Sequence, residues 1–134
     1  MLPLAARFVT APETLDVVVG SNLYADILTD LGGALQGSLG LAASANLNPE
    51  RRYPSMFEPV HGSAPTIAGQ GIANPLAAVW SVSLLLEHLH EPEAAARVMH
   101  SVERVAAQGP HTPDLGGKAR TEQVGDAILQ AIAR

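Results

Sequence analysis

Apolar residues recur at Leu23, Ile27, Leu28, Leu31 and Leu35. That three-and-four spacing places side chains on one face of a helix, so a helix is expected over 23–35. Just before it, Gly20-Ser21-Asn22 reads as a turn, with Ser21 or Asn22 as the N-cap. The short β-branched run Leu15-Asp16-Val17-Val18-Val19 reads as a buried strand, and Pro12 breaks whatever helix opens the chain. Gly37 to Gly40 ends the first long helix, and the small apolar segment Leu41 to Leu47 allows a second strand. Residues 48–73 show no periodicity, and five prolines or glycines fall between Pro59 and Gly71. Structureless stretches of that length inside a compact domain are usually functional.

Regular patterning returns at Asn74-Pro75, where an Asn cap and a Pro in the first turn start a helix running to about His88. Pro92 starts another, to about Ala107. Gln108 to Gly117 is turn-rich, and Thr121 opens a final helix over 122–133. The expected fold class is mixed α/β with an incomplete sheet flanked by helices. One clear strand forms no sheet by itself. The remaining strands therefore hide in the loops, or belong to a longer parent chain or a partner, and residues 1–134 read as a single partial domain.

Composition narrows the function. The 134 residues are 47% hydrophobic and 16% charged, enough to bury a core, and the 4% aromatic content means that Ala, Leu, Val and Ile build it. The net charge is −5, and no basic cluster exceeds Arg51-Arg52, which argues against nucleic acid as a partner. There is no cysteine, which removes disulfides, thiolate metal sites and a catalytic thiol, and fits a cytoplasmic protein. Met1 to Arg7 holds no apolar run of signal-peptide length. The longest apolar stretch, Leu76 to Leu86, is interrupted by Ser81 and Ser83 and is too short to span a bilayer.

Several residues carry candidate chemistry. Asp26 and Asp30 lie four apart on the expected helix and share a face. They repel mildly unless a divalent cation reverses the sign, and oxygen ligands suit Mg²⁺ or Mn²⁺; the alternative is a solvated acidic face. Glu58-Pro59-Val60-His61-Gly62-Ser63-Ala64-Pro65 is a loop with a stacking, switchable histidine and a glycine that permits close approach. It reads equally as a ligand loop or a structural turn. Gly69-Gln70-Gly71-Ile72-Ala73-Asn74 imitates part of a dinucleotide fingerprint, but no strand precedes it and Asn74 replaces the third glycine. A loop leading into a helix N-terminus still presents N–H groups to an anion. His88 and His90 are two apart and share no helix face. Asp114-Leu115-Gly116-Gly117 reads as a tight turn.

The run from Asp16 to Gly32, containing Gly20-Ser21-Asn22-Leu23-Tyr24-Ala25-Asp26 and Asp30, closely resembles the metal-site signature of the β-decarboxylating (isocitrate/isopropylmalate) dehydrogenases. Phe57 to Pro65, then Ile67-Ala68-Gly69 and Gly71-Ile72-Ala73-Asn74-Pro75, resembles that family's cofactor loop, in the same order and at about the same spacing. The resemblance covers essentially the whole chain. Asn46 to Met56 and Gly109-Pro110-His111-Thr112-Pro113-Asp114 look most like the tartrate/D-malate branch.

The resemblance implies a C-terminal fragment of the isopropylmalate dehydrogenase-like two-domain fold. It implies NAD, or NADP, as cofactor with Mg²⁺ or Mn²⁺, and a small 2-hydroxy dicarboxylic acid (tartrate, D-malate or 3-isopropylmalate) as substrate of an oxidative decarboxylation. Asp26 and Asp30 would bind the metal. Asn22 would sit near the nicotinamide, and Glu58 near its ribose. His61, Gly62, Ser63, Ala64 and Pro65 would hold the adenosine half, with Ile72 and Asn74 touching the adenine.

No catalytic residue is carried over. The family's substrate-binding arginines, catalytic tyrosine and catalytic lysine precede the segment that this chain resembles, and its only lysine, Lys118, falls in a different motif. Leu2 stands where a third metal-binding aspartate belongs, and Thr66 where NAD-preferring members carry an aspartate. The expectation is therefore a homodimer or a chain completed by an upstream half, prone to self-association. The alternative is a catalytically inactive nucleotide- and metal-binding remnant, or one half of a split enzyme.

Overall fold

The computed structural model of the chain describes residues 2–133, the side chain of Leu2 excepted. The expectation placed on that side chain lies outside the described residues. Seven elements of regular structure follow one another: α1 (Leu2–Thr10), α2 (Asn22–Leu35), β1 (Ala43–Asn46), β2 (Met56–Pro59), α3 (Leu76–His88), α4 (Pro92–Gln108) and α5 (Thr121–Ile132). Short 3-10 turns stand at Pro12–Thr14, Leu39–Leu41, Pro65–Ile67 and Pro113–Leu115.

The core is helical. Leu76, Val102, Val105, Val124 and Ile128 bury against one another, joining the start of α3 to α4 and α5. Trp80, Val79 and Leu115 close over that cluster. Helix α3 is apolar nearly all round because it packs on two sides, against α4 and against the strand pair. Its two buried hydroxyls are satisfied internally: Ser81 Oγ donates to the Ala77 carbonyl at 2.9 Å and Ser83 Oγ to the Ala95 carbonyl at 2.9 Å. Gly109, at φ 75°, ends α4 in a backbone conformation that glycine adopts without strain.

β1 and β2 run antiparallel, pairing Ala43 with Pro59, Ser44 with Glu58, Ala45 with Phe57 and Asn46 with Met56. Two strands alone are marginal in water. These are backed by α3, where Phe57 stacks at a tilt against His88 with ring centroids 5.5 Å apart. β2 lies inside the stretch expected to be irregular. Four residues alternating between exposed and half-buried leave too short a pattern to read.

The expected strand at 15–19 is not one. No regular structure forms there and no other strand pairs with it among the described residues, and Val17 and Val19 are 83% and 91% exposed. A β ladder needs a neighbouring backbone, and among the described residues the only two-stranded sheet is β1–β2. Helix α2 forms as expected, from Ser21 as N-cap, but only Leu28 and Gly33 on it are buried. Leu23, Ile27 and Leu35, part of the stripe that predicted the helix, stay exposed. No described helix is long and apolar enough to cross a membrane.

Candidate functional site

A cavity of about 780 Å³ opens between the irregular segments. His61 to Ala64 and Ile67 to Gly69 form one side, Gly71 to Asn74 the floor, and Ser38 to Gly40 with Pro113 and Asp114 the far side. Thr121, at the start of α5, completes it. The lining is chiefly small and apolar, and its only ionisable side chains are His61 and Asp114. A volume of this order suits one organic ligand of nucleoside size or larger.

Local chemistry shapes each wall. Ala64 sits in the left-handed region at φ 43°, ψ 61°, turning the chain into the Pro65–Ile67 turn. His61 Nδ1 lies 3.1 Å from the Gly62 carbonyl oxygen. A carbonyl only accepts, so this contact places a proton on Nδ1 and leaves Nε2 open. The floor is tied to α5: the Thr121 N–H donates to the Gly71 carbonyl at 3.0 Å, the Thr121 hydroxyl to the Ala73 carbonyl at 2.6 Å, and Arg120 Nη2 to the Gln70 carbonyl at 3.2 Å. The main-chain N–H and C=O groups of Ile72 and the main-chain N–H of Asn74 carry no backbone partner among the described residues. They border the cavity as free donors and acceptors.

The far side is polar and closely knit. Ser38 Oγ donates to Asp114 Oδ2 at 2.5 Å, and Asn74 Nδ2 donates to the same oxygen at 2.9 Å. Asn74 Oδ1 accepts the Leu76 N–H at 3.0 Å, so Asn74 caps α3 as its sequence suggests. Partial burial, the largest influence on Asp114, pushes its pKa up. Hydrogen bonds from Ser38 and Asn74, the neighbouring Thr112 hydroxyl and its own backbone together outweigh that and hold the carboxyl below its ordinary value. Thr112 Oγ1 is buried beside this cluster and forms no complete hydrogen bond of its own.

A carboxyl whose pKa is lowered by folding contributes stability above its unfolded pKa, and loses it as pH falls through the lower folded value. The cluster should therefore hold unchanged from neutral pH to about pH 5 and loosen only below the usual carboxylate range. Thermal melts and the Asn74 side-chain amide resonances across that range check this.

The structure separates the residues that the sequence grouped. His61, Gly62, Ser63, Ala64, Ile72 and Asn74 surround the cavity, and Pro65 stands just behind the wall, starting its turn. Asn22 opens α2, and Glu58 pairs with Ser44 in the strands; neither lines the cavity. Asp26 and Asp30 lie one turn apart on the exposed face of α2, with no third acidic, histidine or cysteine ligand gathered beside them among the described residues. Mg²⁺ is commonly held by one or two carboxylates with its other positions left to water and substrate, so this pair fits part of such a site. Sequence reasoning missed Ser38, Gly40, Asp114 and Thr121. The turn at Asp114 is real, but its side chain reaches residues 76 and 40 positions away, which no local pattern signals.

Comparison with known proteins gives a consistent picture. Residues 3–128 match the family model described as "Isocitrate/isopropylmalate dehydrogenase". The chain is 58% identical over 130 residues to a "probable tartrate dehydrogenase/decarboxylase" of Agrobacterium vitis, covering 97% of this chain and 36% of that protein. It is 53% identical over 136 residues to the "D-malate dehydrogenase [decarboxylating]" of Escherichia coli, covering 98% of this chain and 38% of that protein. The crystal structure of isocitrate dehydrogenase from Methylococcus capsulatus superposes with a TM-score of 0.89 at 39% identity, covering 98% of this chain and 39% of that one. The chain thus spans little more than a third of the length of the relatives that it matches.

Proposed function

The chain belongs to the isocitrate/isopropylmalate dehydrogenase family, and from that premise we propose that it supplies the adenosine pocket and part of the metal site of a nicotinamide-dependent dehydrogenase. That enzyme oxidatively decarboxylates a small 2-hydroxy dicarboxylic acid, with tartrate or D-malate favoured over 3-isopropylmalate. The observation that carries this reading is the cavity between His61–Ala64 and Gly71–Asn74, sized for a nucleoside and edged by free main-chain groups.

In this reading NAD, or NADP, is held by its adenosine half. The apolar walls take the ring, and the backbone of Ile72 and Asn74 offers hydrogen bonds to its edge. Asn22 and Glu58 serve the nicotinamide end, outside the cavity. Asp26 and Asp30 would hold Mg²⁺ or Mn²⁺, which when bound polarises the substrate hydroxyl and stabilises the enolate left by CO₂ loss. The family's catalytic tyrosine and lysine precede the segment that this chain resembles, so the described residues carry no counterpart of that acid and base. Ser38 gives its hydroxyl proton to Asp114 in a hydrogen bond, and His61 lies on the opposite side of the cavity. That observation favours an enzyme completed by a homodimeric partner or by another polypeptide, docked on the exposed Val17, Val19, Leu23 and Ile27. It equally favours the second reading, a binding remnant without turnover.

The test combines the purified chain with NAD or NADP, Mn²⁺ or Mg²⁺, and D-malate, tartrate, 3-isopropylmalate or isocitrate. Saturable cofactor binding without turnover is expected of the chain alone. Turnover is expected on co-expression with the upstream part of a tartrate dehydrogenase relative. Turnover by the chain alone would refute the incomplete-site account, and absence of cofactor binding would refute the pocket. Asp26→Asn and Asp30→Asn should each weaken Mn²⁺ binding at least about tenfold, read by the relaxation of water protons around the ion.

A further inference from the structure

Asp114 lies outside the motifs by which the chain resembles its family's metal and cofactor sites, yet two segments distant in sequence converge on it. One oxygen, Oδ2, accepts both the Ser38 hydroxyl at 2.5 Å and the Asn74 side-chain N–H at 2.9 Å. Ser38 Oγ in turn accepts the Gly40 N–H at 2.9 Å. The convergence is close: a Cβ on Gly40 would lie 2.8 Å from Asn74 Cβ, 2.9 Å from Asp114 Oδ2 and 3.1 Å from Ser38 Oγ.

This arrangement decides how Asn74 stands. An asparagine amide has two chemically different ends of nearly the same shape. Here the Leu76 N–H demands the oxygen on one side and the Asp114 carboxylate demands the nitrogen on the other. The Asn74 side chain is thereby used inside the protein, and Asn74 is 8% exposed. Its main-chain N–H, with the groups of Ile72, is what remains for a ligand. Thr121 pins the same segment from the other side through the Gly71 and Ala73 carbonyls. The floor of the cavity is thus clamped at both ends, by Thr121 and by Asp114.

We propose that Asp114 is a positioning residue for nucleotide binding. Acting through Asn74, it holds the main chain of Ile72 to Asn74 in the geometry that the hydrogen-bonding edge of an adenine ring meets. This rests on the reading of the cavity as the adenosine pocket. The lowered pKa of the carboxyl supports it, since an ionised oxygen accepts two hydrogen bonds at once throughout the neutral range.

The experiment uses the whole chain with adenosine 5′-monophosphate and NAD as probes. Asp114→Ala should weaken adenosine monophosphate binding about tenfold, the effect of unmaking a hydrogen bond to a charged group. Asp114→Asn should restore most of the loss, because an amide oxygen still accepts from both Ser38 and Asn74. In an Asn74→Ala background, Asp114→Ala should cost nothing more. A loss that persists undiminished there would mean that Asp114 contacts the ligand itself, and would overturn the proposal.

A second measurement needs no variant. In the wild-type chain the Asn74 side-chain amide resonances should titrate with the Asp114 carboxyl carbon. Resonances indifferent to that titration would overturn the proposal even if the variants fail to fold. Wild-type chain that binds neither probe would overturn the pocket reading and this inference together. Tight binding unimpaired in Asp114→Ala would overturn this inference alone.

Discussion

Leu76→Ala is expected to lower the unfolding free energy by about 2–5 kcal/mol, the usual cost of emptying a leucine-sized space in a packed core. Leu76 is 1% exposed and opens α3 at the point where that helix meets α4 and α5. Its neighbours are Val102, Val105, Val124 and Ile128, all small enough that none reaches into the gap without moving its helix. The core holds little in reserve. Several of its other buried apolar residues, such as Ala42, Ala77 and Ala95, are alanines, and domains of this size retain only about 5–15 kcal/mol in total. Chemical denaturation should show the midpoint falling steeply. Leu129→Ala, at a position 66% exposed on α5, should change stability by no more than about 0.5 kcal/mol. The variant keeps the main-chain N–H that donates to Asn74 Oδ1, so its nucleotide binding should fall only with its folded population.

The second large effect is expected at Gly40. Its position on the cavity wall leaves no room for a side chain: the first carbon would press on Asn74 Cβ, Asp114 Oδ2 and Ser38 Oγ together. All three belong to side chains fixed by hydrogen bonds, so relief must come from moving the Leu39–Leu41 turn or from opening the Asp114 cluster. Gly40→Val therefore both narrows the cavity and displaces its floor. Binding of adenosine monophosphate or NAD should fall by about tenfold to a hundredfold, equivalent to roughly 1.4–2.8 kcal/mol, read by titration calorimetry. Helical content should be nearly unchanged, because α3, α4 and α5 pack without Gly40. Gly125 is the matching control. A side chain there meets nothing within 4 Å, so Gly125→Ala should leave binding alone and favour α5 slightly.

Both effects rest on different kinds of information in the sequence. The helices were legible because each carries its own signal. The spacing of Leu23, Ile27, Leu28, Leu31 and Leu35 gave α2 to within a residue at its start, and Asn74-Pro75, Pro92 and Thr121 marked the starts of α3, α4 and α5. Most of the cavity was legible too, since His61 to Ala64 and Ile72 to Asn74 lie in two compact motifs.

What depended on a distant partner was not legible. Leu15 to Val19 has the composition of a strand, but composition supplies no neighbour to pair with, and the segment stays irregular and largely exposed. β2 exists because β1 and α3 lie beside it, not because four residues from Met56 to Pro59 insist on it. Asp114 shows the same limit. Its local pattern describes a turn correctly, while its consequence lies in Ser38 and Asn74, which the fold alone brings near.

The most direct test of the account is a titration of NAD into the isotopically labelled chain, followed by amide chemical shifts. Saturable changes confined to His61–Ala64, Ile72–Asn74 and the facing Ser38–Gly40 and Asp114 are the expected result, and they would establish the cavity as the adenosine pocket. A spectrum that does not move, or one that moves only along α2 around Asp26 and Asp30, would contradict it.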